Sequence, residues 1–278
     1  MNKNFLVFKG SGGLTHMCRS LSQALYLAKK NNLHLIIDSK CNKAFADLFN
    51  NYFFINDKRL SYSCNYDLIP SELVFSKITI NELKDLSLKY SDRNYFLNNI
   101  KVSKNINKKD PISVFGGHIF LWQKYYINPN IKVLDSIKKS FEPKKIKEKY
   151  LSLHFRNTDI QNDISTFIEK IKINTKTHKI FNVYLASDDC FAFDQIQSRL
   201  QNINLIQYTK PGNFNKKNIH YNSSSKKQQT LNCLLDIFMI INSDFWIPSL
   251  NSGLSIWIKE MLDIKKNIFD IKTKAKVV

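Results

Sequence analysis

The clearest evidence for the fold of this chain is the stretch Leu151-Ser152-Leu153-His154-Phe155-Arg156, together with the polar residues that follow it. The apolar residues predict a buried strand, and the polar run up to Asp159 predicts a loop at its carboxyl end. Because side chains alternate along a strand, His154 and Arg156 are predicted to lie on the same side. Arginine keeps its charge and offers a rigid fork of donors, which suits a diphosphate. An ion pair between Arg156 and Asp159 is the structural alternative.

Around this strand, the carboxyl-terminal half alternates predicted strands with predicted helices. The strands are expected near residues 150–155, 181–186, 203–207 and 245–248, and the helices near residues 164–173, 191–200, 229–241 and 253–262. This alternation predicts βαβ units with right-handed crossovers and a parallel sheet, in which ligands bind outside the carboxyl ends of the strands. A polar segment from Thr209 to Lys227 has the length of a functional loop.

The amino-terminal half opens with a similar unit. A short apolar run at Phe5–Phe8 leads into Gly10-Ser11-Gly12-Gly13, and apolar residues then recur at helical spacing before a second strand at residues 33–37. The chain has only seven glycines, so three of them at one strand-to-helix junction indicate a backbone that can approach a ligand. A plain tight turn is the alternative. Another strand is expected at residues 112–115.

The best domain boundary lies in a lysine-rich stretch that contains Pro143. We therefore expect two domains, at residues 1–143 and 144–278. With 278 residues, of which 43% are hydrophobic, the chain can bury a sizeable core.

The net charge of +19 is compatible with a nucleic-acid face, an anionic membrane surface or a phosphate-bearing substrate. Dispersed lysine pairs also occur on ordinary solvated surfaces. The five cysteines show neither zinc spacing nor a disulfide framework, so a reducing compartment is expected. The apolar run at the amino terminus is too short for a signal peptide, and no segment has the length of a membrane span. These features predict a cytoplasmic protein, with peripheral association at the inner membrane face left open.

Several blocks of the sequence resemble those of one enzyme family. His154-Phe155-Arg156-Asn157-Thr158-Asp159 is similar to the His-x-Arg-Arg-x-Asp signature of the fucosyltransferase superfamily, which includes the α1,6-fucosyltransferases, the nodulation fucosyltransferases and the protein O-fucosyltransferases. Further similar blocks follow in the family's order, namely Leu185-Ala186-Ser187-Asp188-Asp189, Leu235-Asp236, Asp244-Phe245-Trp246 and Asn251-Ser252. The resemblance covers the carboxyl-terminal half well, the first βαβ unit loosely, and the middle not at all.

The resemblance implies a GT-B-like α/β fold, with two Rossmann-type domains facing a cleft and the GDP-sugar bound by the carboxyl-terminal one. The guanine contacts carry over to His154 and Asp236, and the β-phosphate contacts to Arg156 and Ser252. The remaining donor-binding candidates are Gly12, Gly13, Asn157 and Asn251. Asp236 lies in an apolar helix and needs a partner, so a structural ion pair or a satisfied buried polar role is its alternative.

The resemblance also implies inversion at the anomeric carbon without a metal, with Arg156 stabilising the departing GDP. Asp163 is the candidate base, and Asp159 is the next. A helix N-terminal acid is the alternative for Asp163. Asn157 stands where many relatives carry a second arginine, so the phosphate clamp has one charge fewer unless a lysine supplies it, with Lys210, Lys216 and Lys217 as candidates. Asp188 and Asp189 are expected to cap the following helix and not to bind a metal.

The predicted activity is transfer of fucose, or of a related deoxy sugar or heptose, to an oligosaccharide or lipid-linked glycan. No cofactor is expected besides the GDP-sugar donor. Two alternatives stay open, which are a GDP-sugar-binding protein without catalytic activity and a basic nucleic-acid-binding protein. The second lacks a recognisable nucleic-acid-binding signature, so no nucleic-acid partner is expected.

Overall fold

The computed structural model of this chain describes residues 5–9, 13–30, 32, 34–40, 49–55, 60–64, 75–77, 100–103, 127–129, 146–157, 162–211, 225–250, 252–263 and 275–278. The chain divides into two compact units, Met1–Val133 and Leu134–Val278. The predicted boundary at residues 143 and 144, and the predicted strand at residues 112–115, lie outside the described residues.

The first unit contains a βαβ element followed by shorter strands. In chain order its elements are β1 (Phe5–Lys9), α1 (Leu14–Lys30), β2 (His34–Asp38), a 3-10 turn (Phe49–Asn51), β3 (Phe53–Ile55), β4 (Tyr62–Ser63), β5 (Phe75–Lys77), β6 (Ile100–Ser103) and β7 (Ile127–Pro129). Strands β4, β2 and β1 are parallel neighbours, and β6 and β5 extend the same sheet in antiparallel pairing. Strands β3 and β7 form a separate antiparallel pair. The βαβ unit predicted at the amino terminus is confirmed.

A buried apolar face holds this βαβ unit together. Met17, Leu21 and Leu25 recur at helical spacing along α1 and are fully buried, as are the central residues of β2. Gly13 precedes the helix, and its carbonyl accepts the first helical hydrogen bond from the Met17 amide at 3.0 Å.

The second unit is built on a fully parallel five-stranded sheet. Its elements are β8 (Tyr150–Phe155), α2 (Ile164–His178), β9 (Asn182–Ser187), α3 (Ala192–Gln197), β10 (Asn204–Ile206), α4 (Lys226–Asn242), β11 (Phe245–Ile247), α5 (Gly253–Asp263) and β12 (Lys276–Val277). The strand order is β10-β9-β8-β11-β12. The first strand of the unit therefore lies in the middle, between the second and the fourth, which is the order of a Rossmann sheet.

The two faces of this sheet differ in chemistry. Leu151, Leu153 and Phe155 point to one face, where they pack with Phe167 and other apolar residues of α2 in the main core of the unit. The Phe155 and Phe167 rings meet edge to face with their centroids 5.1 Å apart. The alternate residues of β8, from Tyr150 to His154, face α4 and α5, so this second face carries the polar groups.

The helices of the second unit differ from their predicted lengths at the ends. Helix α2 continues past the predicted end at Ile173 to His178, and it stops where Lys179 adopts a left-handed conformation with φ of 53°. Helix α3 is confined to Ala192–Gln197. Of the helices in the described part of the chain, none is long and apolar enough to cross a membrane.

Candidate functional site

Three neighbouring strands of the second unit end beside one another, and each is followed by polar residues. Arg156 follows β8, Asp188 follows β9 and Ser249 follows β11. The loops are tied together, because the Asn157 amide donates to Oδ1 of Asp188 at 2.8 Å and the Arg156 amide donates to Oγ of Ser249 at 3.4 Å. The strand order reverses between β8 and β11, and this reversal is the place where ligands bind to open α/β sheets.

Arg156 carries its charge at this edge in a largely buried position. Its side chain is 14% exposed, and Nη1 lies 3.6 Å from Oδ2 of Asp188, whose side chain is 11% exposed. A charge that is mostly withdrawn from water acts more strongly on a neighbouring anion than a surface charge does. Asp159, the predicted alternative partner, lies outside the described residues.

His154 lies two residues before Arg156 and is buried. Its Nδ1 is 2.7 Å from Oγ of Ser255, which also accepts a hydrogen bond from the Ser249 amide at 3.2 Å. Burial, and to a lesser degree the charge of Arg156, lowers the pKa of His154 to about 3. His154 is therefore neutral at physiological pH and presents one donor and one acceptor nitrogen.

Asp236 lies on α4 and is held by two hydroxyl groups. Tyr184 donates to its Oδ1 at 2.6 Å, and Thr209 donates to the same oxygen at 2.7 Å. Burial raises the pKa of Asp236 to about 7, although both hydrogen bonds act in the opposite direction. The need for a partner that the apolar helix implies is therefore met by hydroxyl groups.

Cys233 is a neighbour of Asp236. It lies three residues before Asp236 on α4, which places both side chains on one helix face. The pKa of the Cys233 thiol rises to about 12 because of burial and the Asp236 charge, and the Arg156 charge opposes this rise. Tyr184, which donates to Asp236, alternates along β9 with the core residues Val183 and Leu185, so Asp236 lies on the same face of the sheet as His154.

Ser252 lies at the start of α5 and is fully buried. Its carbonyl accepts the Ile256 amide at 3.0 Å, so the helix begins here. Its hydroxyl oxygen is buried without a hydrogen-bond partner in the residues that the structure describes. A buried unsatisfied hydroxyl is costly, and the beginning of a helix favours anions, so the two features together suit a phosphate oxygen.

The side chain of Asn157 serves the structure of the loops. Its Nδ2 donates to Oδ2 of Asp189 at 2.8 Å, and its Oδ1 accepts from the Asn162 amide at 3.4 Å. Asp189 also accepts from the Phe191 amide at 2.9 Å, in the turn before α3. The N-cap residue of α3 is Phe191, without a side-chain capping bond, so the cap predicted from Asp188 and Asp189 is wrong. Within the described ranges, no group of histidine, cysteine and carboxylate side chains is arranged to hold a metal.

Asp163 is the N-cap residue of α2. Its carboxylate accepts from the Ser165 and Thr166 amides at 3.0 and 3.2 Å and from the Thr166 hydroxyl at 2.8 Å. These hydrogen bonds, the Thr166 hydroxyl first among them, lower the pKa of Asp163. The structural alternative for this residue is therefore present, and its role as a base stays a prediction.

The structure describes only some of the remaining predicted residues. Lys210 lies with Nζ 5.9 Å from the centroid of the Phe193 ring, and Gly13 belongs to the first unit. The candidates that lie outside the described residues are Gly12, Asp159, Lys216, Lys217 and Asn251.

The residues that support the site were not predicted. Ser249, Ser255, Tyr184 and Thr209 hold Arg156, His154 and Asp236 in place. Their sequence signal is weak, because serine, threonine and tyrosine after a strand or on a helix are common in any soluble protein.

The order of the parallel sheet and the polar groups at its point of reversal define a Rossmann-type unit. No family model and no curated protein sequence matches the chain. Among solved structures, fucosyltransferase NodZ from Bradyrhizobium is similar with a TM-score of 0.59 and 11% identity, over 93% of this chain and 93% of that one. POFUT1 in complex with GDP-fucose is similar with a TM-score of 0.60 and 10% identity, over 99% of this chain and 97% of that one.

This likeness establishes the fold. The chain has the α/β fold of these fucosyltransferases along nearly its whole length, which confirms the predicted fold class and, at the level of fold, the family resemblance. The cleft expected between two domains stays a prediction.

Proposed function

We propose that this protein is a glycosyltransferase that uses a GDP-sugar as donor. The observation that carries the proposal is the placement of Arg156, His154, Asp236 and Ser252 on the polar side of the sheet, at the point where the strand order reverses between β8 and β11. Proteins of the same fold support it, since NodZ alpha-1,6-fucosyltransferase has been soaked with GDP-fucose and POFUT1 has been crystallised with GDP and with GDP-fucose.

The nucleobase contacts are assigned to Asp236 and His154. Guanine presents a ring N–H and an exocyclic amino group side by side, and a carboxylate can accept from both. Neutral His154 adds one ring nitrogen as a donor or acceptor for the same base, because its other ring nitrogen is engaged by Ser255. A base without adjacent donors would leave the Asp236 carboxylate unpaired, so this pocket favours guanine over the other common bases.

The diphosphate contacts are assigned to Arg156 and Ser252. The guanidinium offers paired donors, and the Ser252 hydroxyl and the first amides of α5 add neutral donors beside it. Negative charge grows on the diphosphate as the sugar departs, and donors already in place stabilise that charge more than they stabilise the ground state. Asn157 is neutral and adds no charge to this clamp, and its side-chain amide donates to Asp189.

The sugar is proposed to invert at the anomeric carbon without a metal, with a carboxylate taking the proton of the acceptor. Asp163 is the proposed base, and Asp159 is the second candidate. The capping donors that lower the pKa of Asp163 make it a weaker proton acceptor, so paired substitutions of this residue are needed to separate its two roles.

The transferred sugar is proposed to be fucose or a related deoxy sugar or heptose, and the acceptor an oligosaccharide or a lipid-linked glycan. The reaction is proposed to take place in the cytoplasm, with the basic chain held peripherally at an anionic membrane surface. Incubation with GDP-fucose and with such acceptors, followed by mass spectrometry of the glycan, tests the proposal. A glycan product that has gained one sugar supports the proposal. GDP binding without any product would favour a GDP-sugar-binding protein that has no catalytic activity.

A further inference from the structure

Two hydroxyl groups beside Asp236 have no part in the contacts proposed so far. Tyr184 is completely buried on β9, and Thr209 is 5% exposed in the segment after β10. Both donate to Asp236, which lies on α4, so the cluster joins three separate elements. Such an arrangement is a tertiary feature and not a by-product of local helix geometry.

Both hydroxyl groups donate to the same carboxylate oxygen, Oδ1 of Asp236. A carboxylate oxygen has about two lone-pair sites, so Tyr184 and Thr209 together occupy this one. No donor to the other oxygen, Oδ2, occurs in the part of the chain that the structure describes. The cluster therefore leaves one oxygen of Asp236 for a ligand and prevents the carboxylate from rotating freely.

We propose that Tyr184 and Thr209 are positioning residues that keep Asp236 ionised as an acceptor for the nucleobase and thereby determine the preference for guanine. This inference rests on the proposed function, because it requires a nucleobase at Asp236. The two adjacent donors of guanine match an ionised carboxylate, whereas a protonated carboxyl group would place an O–H against an N–H. Hydrogen bonds to the charged form favour that form, so the two hydroxyl groups oppose the effect of burial.

The titratable groups around this cluster keep their protonation states near neutral pH. On α4, Cys233 has a pKa raised to about 12, mainly by burial. On β9, burial and the Asp236 charge raise the pKa of Tyr184 well above its usual value, so its hydroxyl stays a donor. The pKa of neighbouring Tyr208 is also raised by burial, and Arg156 stays charged. A titration between pH 6 and pH 8 in this cluster therefore reports on Asp236.

The test removes one hydroxyl at a time with Tyr184→Phe and Thr209→Val, which preserve shape. Side-chain carboxyl ¹³C NMR of the full chain, without nucleotide, follows the titration of Asp236, and calorimetry compares GDP with UDP from pH 6 to pH 8.5. We expect the Asp236 midpoint to rise by about one pH unit in each variant. The preference for GDP over UDP at pH 7 should then fall about fivefold and recover as the pH rises, because a smaller fraction of Asp236 is ionised at pH 7.

Tyr150→Phe is the matched control. Tyr150 lies on the same sheet face, and its hydroxyl donates to the Met239 carbonyl of α4 at 2.7 Å, so its loss removes a buried hydrogen bond without touching Asp236. This variant should keep both the midpoint and the GDP preference of the unmodified protein. An unchanged midpoint and preference in Tyr184→Phe and Thr209→Val would overturn the positioning role and leave the proposed function standing. Equal affinity of the unmodified protein for GDP and UDP would instead overturn the proposed function, and the role in base selection with it.

Discussion

Arg156 and Asp188 face each other across the carboxyl ends of two adjacent parallel strands, with Nη1 3.6 Å from Oδ2. Asp188 is itself held in place by the Asn157 amide at 2.8 Å. One oxygen of Asp188 thus pairs with the guanidinium, while the other accepts from the loop that carries Arg156. Such an arrangement keeps a mostly buried arginine charged and aimed before a diphosphate arrives, which is what electrostatic preorganisation requires.

Arg156→Lys should keep the fold and lose most of the activity. An ammonium group cannot reproduce the paired donors of the guanidinium, so we expect a loss of about 2 to 4 kcal/mol of transition-state stabilisation. Steady-state kcat/KM for sugar transfer is the measurement. Arg199→Lys, at an exposed arginine of the same unit, serves as control and should transfer normally. Near-normal turnover by Arg156→Lys would remove this residue from the mechanism.

Ser252→Ala should affect stability and binding in opposite directions. Removing a buried hydroxyl that has no partner among the described residues should raise the free energy of unfolding by about 1 kcal/mol in the absence of nucleotide. The same change should weaken GDP and UDP together, since the lost contact is to the shared diphosphate. Chemical denaturation and calorimetry measure the two effects.

Ser243→Ala is the contrast for this experiment. The Ser243 hydroxyl donates within the fold, to the Ile240 and Phe245 carbonyls, so its loss should lower stability and leave nucleotide binding intact. If Ser243→Ala weakens nucleotide binding as much as Ser252→Ala does, the effect of Ser252 on binding is structural.

The local part of this site follows from the sequence. Alternation along β8 places His154 and Arg156 on one side, and the apolar helix around Asp236 implies a buried carboxylate that needs a partner. The partner itself could not be predicted, because Tyr184 lies 52 residues away and Ser255 lies 101 residues from His154. Contacts of that separation depend on the order of the strands, which the sequence pattern leaves open.

The role of Asp163 shows how local chemistry competes with a family analogy. The family pattern favours a base just past the signature, whereas an aspartate three residues before Thr166 is also typical of a helix cap. The structure contains the cap. The end of α2 differs from prediction because its apolar spacing fades after Ile171, whereas the buried face of the helix continues with a polar residue, Thr175, whose hydroxyl donates to the Ile171 carbonyl.

Two substitutions at Asp163 separate capping from catalysis. Asparagine is a good N-cap residue but a poor base, whereas alanine is neither. Asp163→Ala should therefore lower the melting temperature and Asp163→Asn should lower it much less. If Asp163 is the base, both variants lose sugar transfer while GDP affinity is unchanged. Full transfer by Asp163→Asn would assign the residue to capping alone and move the search for the base to Asp159.

Asp236 should make the stability of the free protein depend on pH. Burial raises its pKa from 3.8 to about 7, so between these values the folded protein binds more protons than the unfolded chain. Stability from this group is therefore present at low pH and is lost as the pH rises towards about 7. Asp236→Asn has no carboxyl group to titrate at this position. The melting temperature of this variant minus that of the unmodified protein should therefore increase from pH 5 to pH 8. If this difference in melting temperature does not change with pH, the pKa of Asp236 is not raised by burial.

Base selectivity tests the guanine-nucleotide site without requiring an acceptor. GDP, UDP, ADP and CDP share the diphosphate, so Arg156 and Ser252 cannot distinguish them, and only the contacts of Asp236 and His154 can. A ligand stabilises the folded state according to its affinity, by roughly 2.7 kcal/mol at one hundred times its Kd. Thermal denaturation at equal nucleotide concentration should show a large rise in melting temperature with GDP and a small one with the other three, and Asp236→Ala should remove the difference. Equal stabilisation of the unmodified protein by all four nucleotides would contradict a guanine-nucleotide site.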